Sequence, residues 1–276
     1  MGSLTDYAEA RVLNHIFNAT QAVGGTVHLA LYTVAPTDST AGTEVANANN
    51  YARRPITLGA PSARRVTQSA QVDFNAASGA WGTVVAWGIS DSATHGAGNL
   101  LAYGDFSASF SPINGNTPRV ASGQVWVQID AVANYGFTTY LVHAILDHLF
   151  RATAFTSTAG NTFLALLTGV CSDAATTMAG QAEVSGNGYA RREVNENGGA
   201  SPNWSTVAAG ALSNVQDVVF ATPTGAWATF VSVAIVDAAS GTSANVLMYD
   251  NNVVDQPAAL NDTVQFSAGD FDASLS

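Results

Sequence analysis

Lysine is absent from this 276-residue chain: all nine basic residues are arginines, at positions 11, 53, 54, 64, 65, 119, 151, 191 and 192, against twenty carboxylates and a formal charge of −11. Affinity for a phosphate backbone comes from cations that displace condensed counterions, so an acidic chain without a basic run is not expected to bind nucleic acid. Charge of either sign is scarce, 11% against about 25% in an ordinary soluble domain. The surface must therefore be built from Ser, Thr, Asn, Gln, Gly and Ala. One cysteine, Cys171, leaves no internal disulfide and no Cys-rich metal site, which suits assembly in a reducing cytoplasm. No stretch reaches 18 unbroken apolar residues, and Asp6 and Glu9 stand where a signal peptide needs a basic region. Neither a membrane span nor a leader is expected. The Gly-rich stretches lack the Gly-x-x-x-x-Gly-Lys run that cradles phosphates.

What is present is a repeat. Residues 4–20 (LTDYAEARVLNHIFNAT) align without gaps on residues 137–153 (FTTYLVHAILDHLFRAT), seven of seventeen positions being identical at an offset of 133. The correspondence continues through Leu29-Ala30-Leu31 with Leu164-Ala165-Leu166, Glu44-Val45 with Glu183-Val184, and Tyr51-Ala52-Arg53-Arg54 with Tyr189-Ala190-Arg191-Arg192. Gly79-Ala80-Trp81 then matches Gly225-Ala226-Trp227. Ile89 and Asp91 follow the first Trp at the same spacing as Ile235 and Asp237 follow the second. Leu101-Ala102-Tyr103 closes the series against Leu247-Met248-Tyr249, by which point insertions have raised the offset to 146. A duplication sets domain boundaries more firmly than any propensity. The Ala, Asn and Gly residues of 130–136 separate the copies, giving domains 1–133 and 134–276, each expected to close its own core.

Each copy opens with helical spacing: Ala8, Val12, Leu13, Ile16 and Phe17 in the first, Leu141, Ile145, Leu146, Leu149 and Phe150 in the second. Thr5, and Thr138 or Thr139, are the expected N-caps. The period then changes to two. Val27, Leu29 and Leu31 alternate with more polar neighbours, and in 227–235 one face is expected to carry Trp227, Val231, Val233 and Ile235. The turn-rich run between Asp91 and Leu100 predicts an antiparallel hairpin. The fold class that follows is mainly β with one helix per repeat: two tandem antiparallel β-sandwich-like domains, each opened by an N-terminal amphipathic helix.

Chemistry-bearing candidates are few. His15 and His148 occupy equivalent helix positions but lie in no metal-binding pattern, and a structural role is expected. Glu193 and Glu196 have the spacing of an acid/base pair, yet copy one has Pro55 and Leu58 there, so an exposed loop is expected. Asp250, Asp255, Asp262, Asp270 and Asp272 form an acidic C-terminal region that would suit Ca²⁺, but without EF-hand spacing. Cys171 has neither a sequence-near His nor a Cys-x-x-Cys partner to activate it. No cofactor and no enzymatic activity are expected. The Tyr-Ala-Arg-Arg element differs, because a strand sends adjacent arginines to opposite faces. One would pair with a carboxylate such as Asp91 or Glu44 and the other would point outward, making Arg53, Arg54, Arg191 and Arg192 the candidate interface residues.

Leu-x-Leu, the loop Pro-Thr-Asp-Ser-Thr-Ala-Gly-Thr-Glu-Val, Tyr-Ala-Arg, Gly-Ala-Trp-Gly-Thr-Val, Gly-Ile-Ser-Asp and Leu-Leu-Ala-Tyr-Gly follow one another over residues 29–104. In this series the chain resembles tailed-phage virion proteins of the head-decoration or tail-fibre-like family. Copy two departs from it at Gly169-Val170-Cys171-Ser172 and at Ala234-Ile235-Val236-Asp237. The resemblance implies a structural role. The expectation is a capsid decoration (cement) protein, assembled in the host cytoplasm and lying on the outer surface of the virion shell. There it would bridge capsomers of the major capsid protein, with self-association or many copies per virion, tandem modules adding avidity. The alternative is a tail-fibre or adsorption protein contacting host-surface glycan, and a glycan-degrading enzyme is the third reading.

Overall fold

Each repeat is started by a threonine that performs two tasks. In the computed structural model, which describes residues 2–18, 25–131, 133–155, 162–194, 204–208 and 210–275, Thr5 Oγ1 accepts from Ala8 N and donates to Leu100 O at 2.6 Å. Thr138 Oγ1 likewise accepts from Leu141 N and donates to Val246 O at 2.6 Å. The caps satisfy helix donors and fix both helices to the same point of their sheets. Helix α1 (Asp6–Leu13) continues into a π-helical turn at Asn14–Asn18, and α2 spans Thr139–Phe150. Ala8, Val12, Leu13 and Ile16 are buried as the spacing predicts, as are all five stripe residues of α2. The side chain of Phe17 lies outside the described residues.

The central sheet of repeat one runs, in order, through Gly2–Leu4, Leu100–Phe110, Val84–Ser90, His28–Val34 and Thr43–Glu44, with Arg54–Pro55 also pairing His28–Val34. That of repeat two runs through Tyr135–Phe137, Val246–Asp250, Ser232–Val236, Phe163–Leu167 and Arg192–Glu193. All pairs are antiparallel, and the register is kept: Leu29 faces Ile89 as Leu164 faces Ile235. The hairpin between Asp91 and Leu100 forms as expected. Two-stranded ribbons complete each repeat, Arg65–Thr67 with Trp126–Gln128 and Val72–Asp73 with Arg119–Val120 in the first. Ala211–Ser213 with Asp272–Ser274 and Val218–Val219 with Gln265–Phe266 are their counterparts. The chain is thus mainly β with one helix opening each of two similar halves.

Two expectations change. In 227–235 it is Phe230, 1% exposed, that enters the core, and Val231 is half-buried. The run breaks there into Trp227–Phe230, paired with Gln256–Ala258, and Ser232–Val236, in the central sheet, so the alternation slips by one residue where the chain changes sheets. The repeats also do not close separate cores. One apolar cluster runs from Leu4 to Leu275 through Val120, Val127, Phe137, Leu141 and Leu146. The cause is reciprocal packing: α1 lies against Ala211–Ser213 of repeat two, α2 against Arg65–Thr67 of repeat one, and the helices touch each other. At their contact the buried rings of His15 and His148 sit 4.2 Å apart.

Candidate functional site

The motifs shared by the two copies converge on one internal device, built twice. Arg53 donates from Nε and Nη2 to the two carboxylate oxygens of Glu44, at 2.9 and 2.8 Å. Its Nη1 reaches Ser90 Oγ and the carbonyls of Ser92 and Ala97. Tyr51 Oη donates to Glu44 Oε1 at 2.9 Å and accepts from Leu31 N at 3.0 Å. Repeat two does the same with Arg191 on Glu183 at 2.8 Å twice, on the carbonyls of Ala238 and Gly241, and with Tyr189 between Glu183 and Leu166 N. A planar guanidinium matches a carboxylate with two parallel bonds, and its remaining donors hold the hairpin loop. Burial, with the carboxylate alongside, pushes the Tyr51 and Tyr189 phenols far above their usual range.

An aromatic trio stands beneath each clamp. Tyr51 meets Trp81 edge-on at 5.2 Å and stacks on Phe74 at 6.2 Å, and Tyr189 meets Trp227 at 5.3 Å and Phe220 at 6.1 Å. The indoles donate to Asn49 O and Asn187 O. The glycine of Gly-Ala-Trp packs here, since a Cβ on Gly79 would lie 2.6 Å from Asn49 Oδ1. Asp91 and Asp237 each accept from the backbone and side-chain nitrogens of one asparagine, Asn99 and Asn245, closing the two hairpins.

Arg53 and Arg191 are therefore buried with internal partners, whereas Arg54 is half-exposed and Arg192 exposed. Outward-facing apolar side chains recur at equivalent turns. Ile113 is 59% exposed in a turn where its N–H bonds Asn116 Oδ1, and Leu260 is 58% exposed in one where Ala259 N bonds Asp262 Oδ2.

Among the described residues, the other candidates do not assemble into a catalytic centre. His15 and His148 are buried at the helix contact, and Glu193 is half-buried on an edge strand. Glu196 lies outside the described residues. Asp250, Asp262 and Asp270 accept from backbone N–H groups of their own turns, and the five C-terminal aspartates form no acidic cluster among the described residues. Cys171 is buried, its thiol pushed up to about 11 by desolvation, and Asn251 bonds its backbone on both sides. A thiol held that high is not a nucleophile near neutral pH.

Sequence reasoning missed two groups at the seams between the repeats. Arg64, 8% exposed, bonds Asp173 across one seam. Asp6, Glu9 and Asp38 gather at the other, where desolvation followed by the charges of Asp38 and Asp6 pushes the Glu9 carboxyl up to about 8. No local pattern signals either group: Arg64 and Asp173 are 109 residues apart, and Asp38 joins Asp6 and Glu9 of α1 from a separate loop.

The twofold β module is one found among the structural proteins of bacteriophage. The family described as podophage GP4 fiber I protein gp80 matches residues 3–128 and again residues 136–274, so the chain belongs to this family and carries its module twice. No curated protein matches the sequence.

Proposed function

We propose that the chain is a component of the phage fibre that acts by surface contact and has no catalytic activity. The observation that carries this reading is the family match over each repeat. It agrees with the use made of the recurring charged and aromatic residues, which bond to one another and leave the loops to vary. The contacting surface is then the loop ends, with Ile113 and Leu260 as apolar anchors and Arg54 and Arg192 as outward cations.

A second reading is decoration of the outer shell through contacts with the major capsid protein. It is favoured by the charge of −11 without lysine, which suits a surface remote from packaged DNA. Gold-labelled antibody against the chain, applied to intact virions and viewed by electron microscopy, separates the two. Label on the fibres is the expected result. Label spread evenly over the head would replace the fibre reading with the decoration reading, and virions free of the protein would overturn both. Ile113→Ser with Leu260→Ser should lower incorporation into particles without lowering the melting temperature.

A further inference from the structure

The two seams between the repeats have equivalent backbones and unlike charges. At one, Arg64 sends its guanidinium to Asp173 Oδ1 at 2.7 Å and to the carbonyl oxygens of Ile129, Asp130 and Phe137 at 2.9, 2.9 and 3.0 Å. Its counterpart is Gly210. Arg64 O accepts from Ile129 N at 3.1 Å as Gly210 O accepts from Leu275 N at 3.0 Å, and both residues hold a positive φ, +62° and +69°. The counterpart of Asp173 is Asp38: Thr139 N bonds Asp173 O as Asp6 N bonds Asp38 O, each at the first residue of its helix. Asp38 therefore faces the place from which, in this seam, the arginine is missing.

Glu9 fills that place with a carboxyl group in place of a cation. A Cβ built on Gly210 would lie 2.2 Å from Glu9 Oε2 and 2.8 Å from Leu275 O, so the carboxylate stands where the Arg64 side chain begins in the other seam. Glu9 is 2% exposed, and no described residue donates a hydrogen bond to its carboxylate. Oxygen atoms of Asp6, Glu9 and Asp38 lie within 4.8 Å of one another. An open cleft lined by Asp6, Asp38, Thr37, Thr40 and Asn99 brings solvent to the two aspartates. The equivalent position in the same molecule is held by a cation, and here buried, unpartnered oxygen faces further oxygen.

We propose that Asp6, Glu9 and Asp38 bind one hard divalent cation of the Ca²⁺ class, which takes the role of the Arg64 guanidinium at the second seam. Every donor is oxygen, which suits Ca²⁺ and disfavours the softer transition metals. The site draws on a helix, a loop and the rim of an open cleft. That variety favours the adaptable coordination of Ca²⁺ over the strict octahedron of Mg²⁺.

The test uses the full chain, stripped with EDTA and titrated with Ca²⁺ in a calorimeter, with melting curves taken in parallel. One site per chain and a saturable rise in melting temperature are expected, with Mg²⁺ at least tenfold weaker. Asp38→Asn, in an exposed loop that leaves the core untouched, should weaken Ca²⁺ binding at least tenfold, whereas the exposed Asp255→Asn should leave it unchanged. Glu9→Val with Gly210→Arg transplants the pattern of the other seam, where Val142 and Arg64 stand. This double variant should melt at the same temperature with and without Ca²⁺. Absence of binding at millimolar Ca²⁺, or binding that survives Asp38→Asn, would overturn the proposal.

Discussion

Replacing Arg53 by Met should be the costlier of two formally identical substitutions. The side chain of Glu44 is 9% exposed and that of its counterpart Glu183 is 22% exposed. Arg53→Met strips Glu44 of both charge-assisted bonds and leaves Tyr51 as its close hydrogen-bond donor in a site that water scarcely reaches. Removing one partner of a buried pair costs about 3–5 kcal/mol, because the other charge stays behind unpaired. At Glu183 water can replace part of what Arg191 supplied, and the loss should be nearer the ~1.5–3 kcal/mol of hydrogen bonds to a charged group. With ~2–4 °C per kcal/mol for a chain of this size, Arg53→Met should lower the melting temperature by roughly 10 °C and Arg191→Met by about half as much. The double variant Arg53→Met, Glu44→Leu should recover most of the loss, since no buried charge is then left alone. Scanning calorimetry and urea midpoints measure all three. The reasoning fails if Arg53→Met lies within about 1 kcal/mol of the parent, or if Arg191→Met costs more.

Three further outcomes follow from the packing. Because one apolar cluster runs through both repeats, the intact chain should unfold in a single calorimetric transition with equal calorimetric and van't Hoff enthalpies, and two resolved transitions would refute the shared core. Cys171, buried and with its thiol at about 11, should react with a disulfide reagent at pH 7.5 only at the rate of unfolding, and rapid labelling of the native chain would contradict that. The folded chain holds a proton on Glu9 up to about 8 that the unfolded chain releases near 4.5, so the unfolded state binds fewer protons across this window and stability in EDTA should fall as pH rises through it. Urea midpoints at pH 5, 6.5 and 8 should show a weaker decline for Glu9→Gln, and an identical slope would remove Glu9 as the cause.

Sequence reading reached whatever was local or written twice. The helix stripes, the threonine caps, the hairpin after Asp91 and the Arg53 to Glu44 pairing all rest on near neighbours or on equal spacings in the two copies. The edge strands Gly2–Leu4 and Tyr135–Phe137 were not legible, since their partners lie about a hundred residues on and three residues carry no period. The slip at Val231 was hidden because the run reads as one strand until its two halves join different sheets. Arg64 sits beside Arg65 like the other arginine pairs, and nothing nearby shows that it bonds across the seam. Glu9 reads as a helix-start acid near the positive end of the dipole. Only the position of Gly210 reveals that it is enclosed.

Packing each helix on the neighbouring repeat gives this molecule the layout of a dimer of like subunits within one polypeptide. Two separate identical subunits must accept every substitution at both of their symmetry-related contacts, so an alteration useful at one contact is imposed on the other. Covalent linkage lifts that obligation. One contact can keep a permanent internal cation while the other becomes responsive to its surroundings, and a particle displaying many copies would gain a rigid side and a tunable side from the same scaffold.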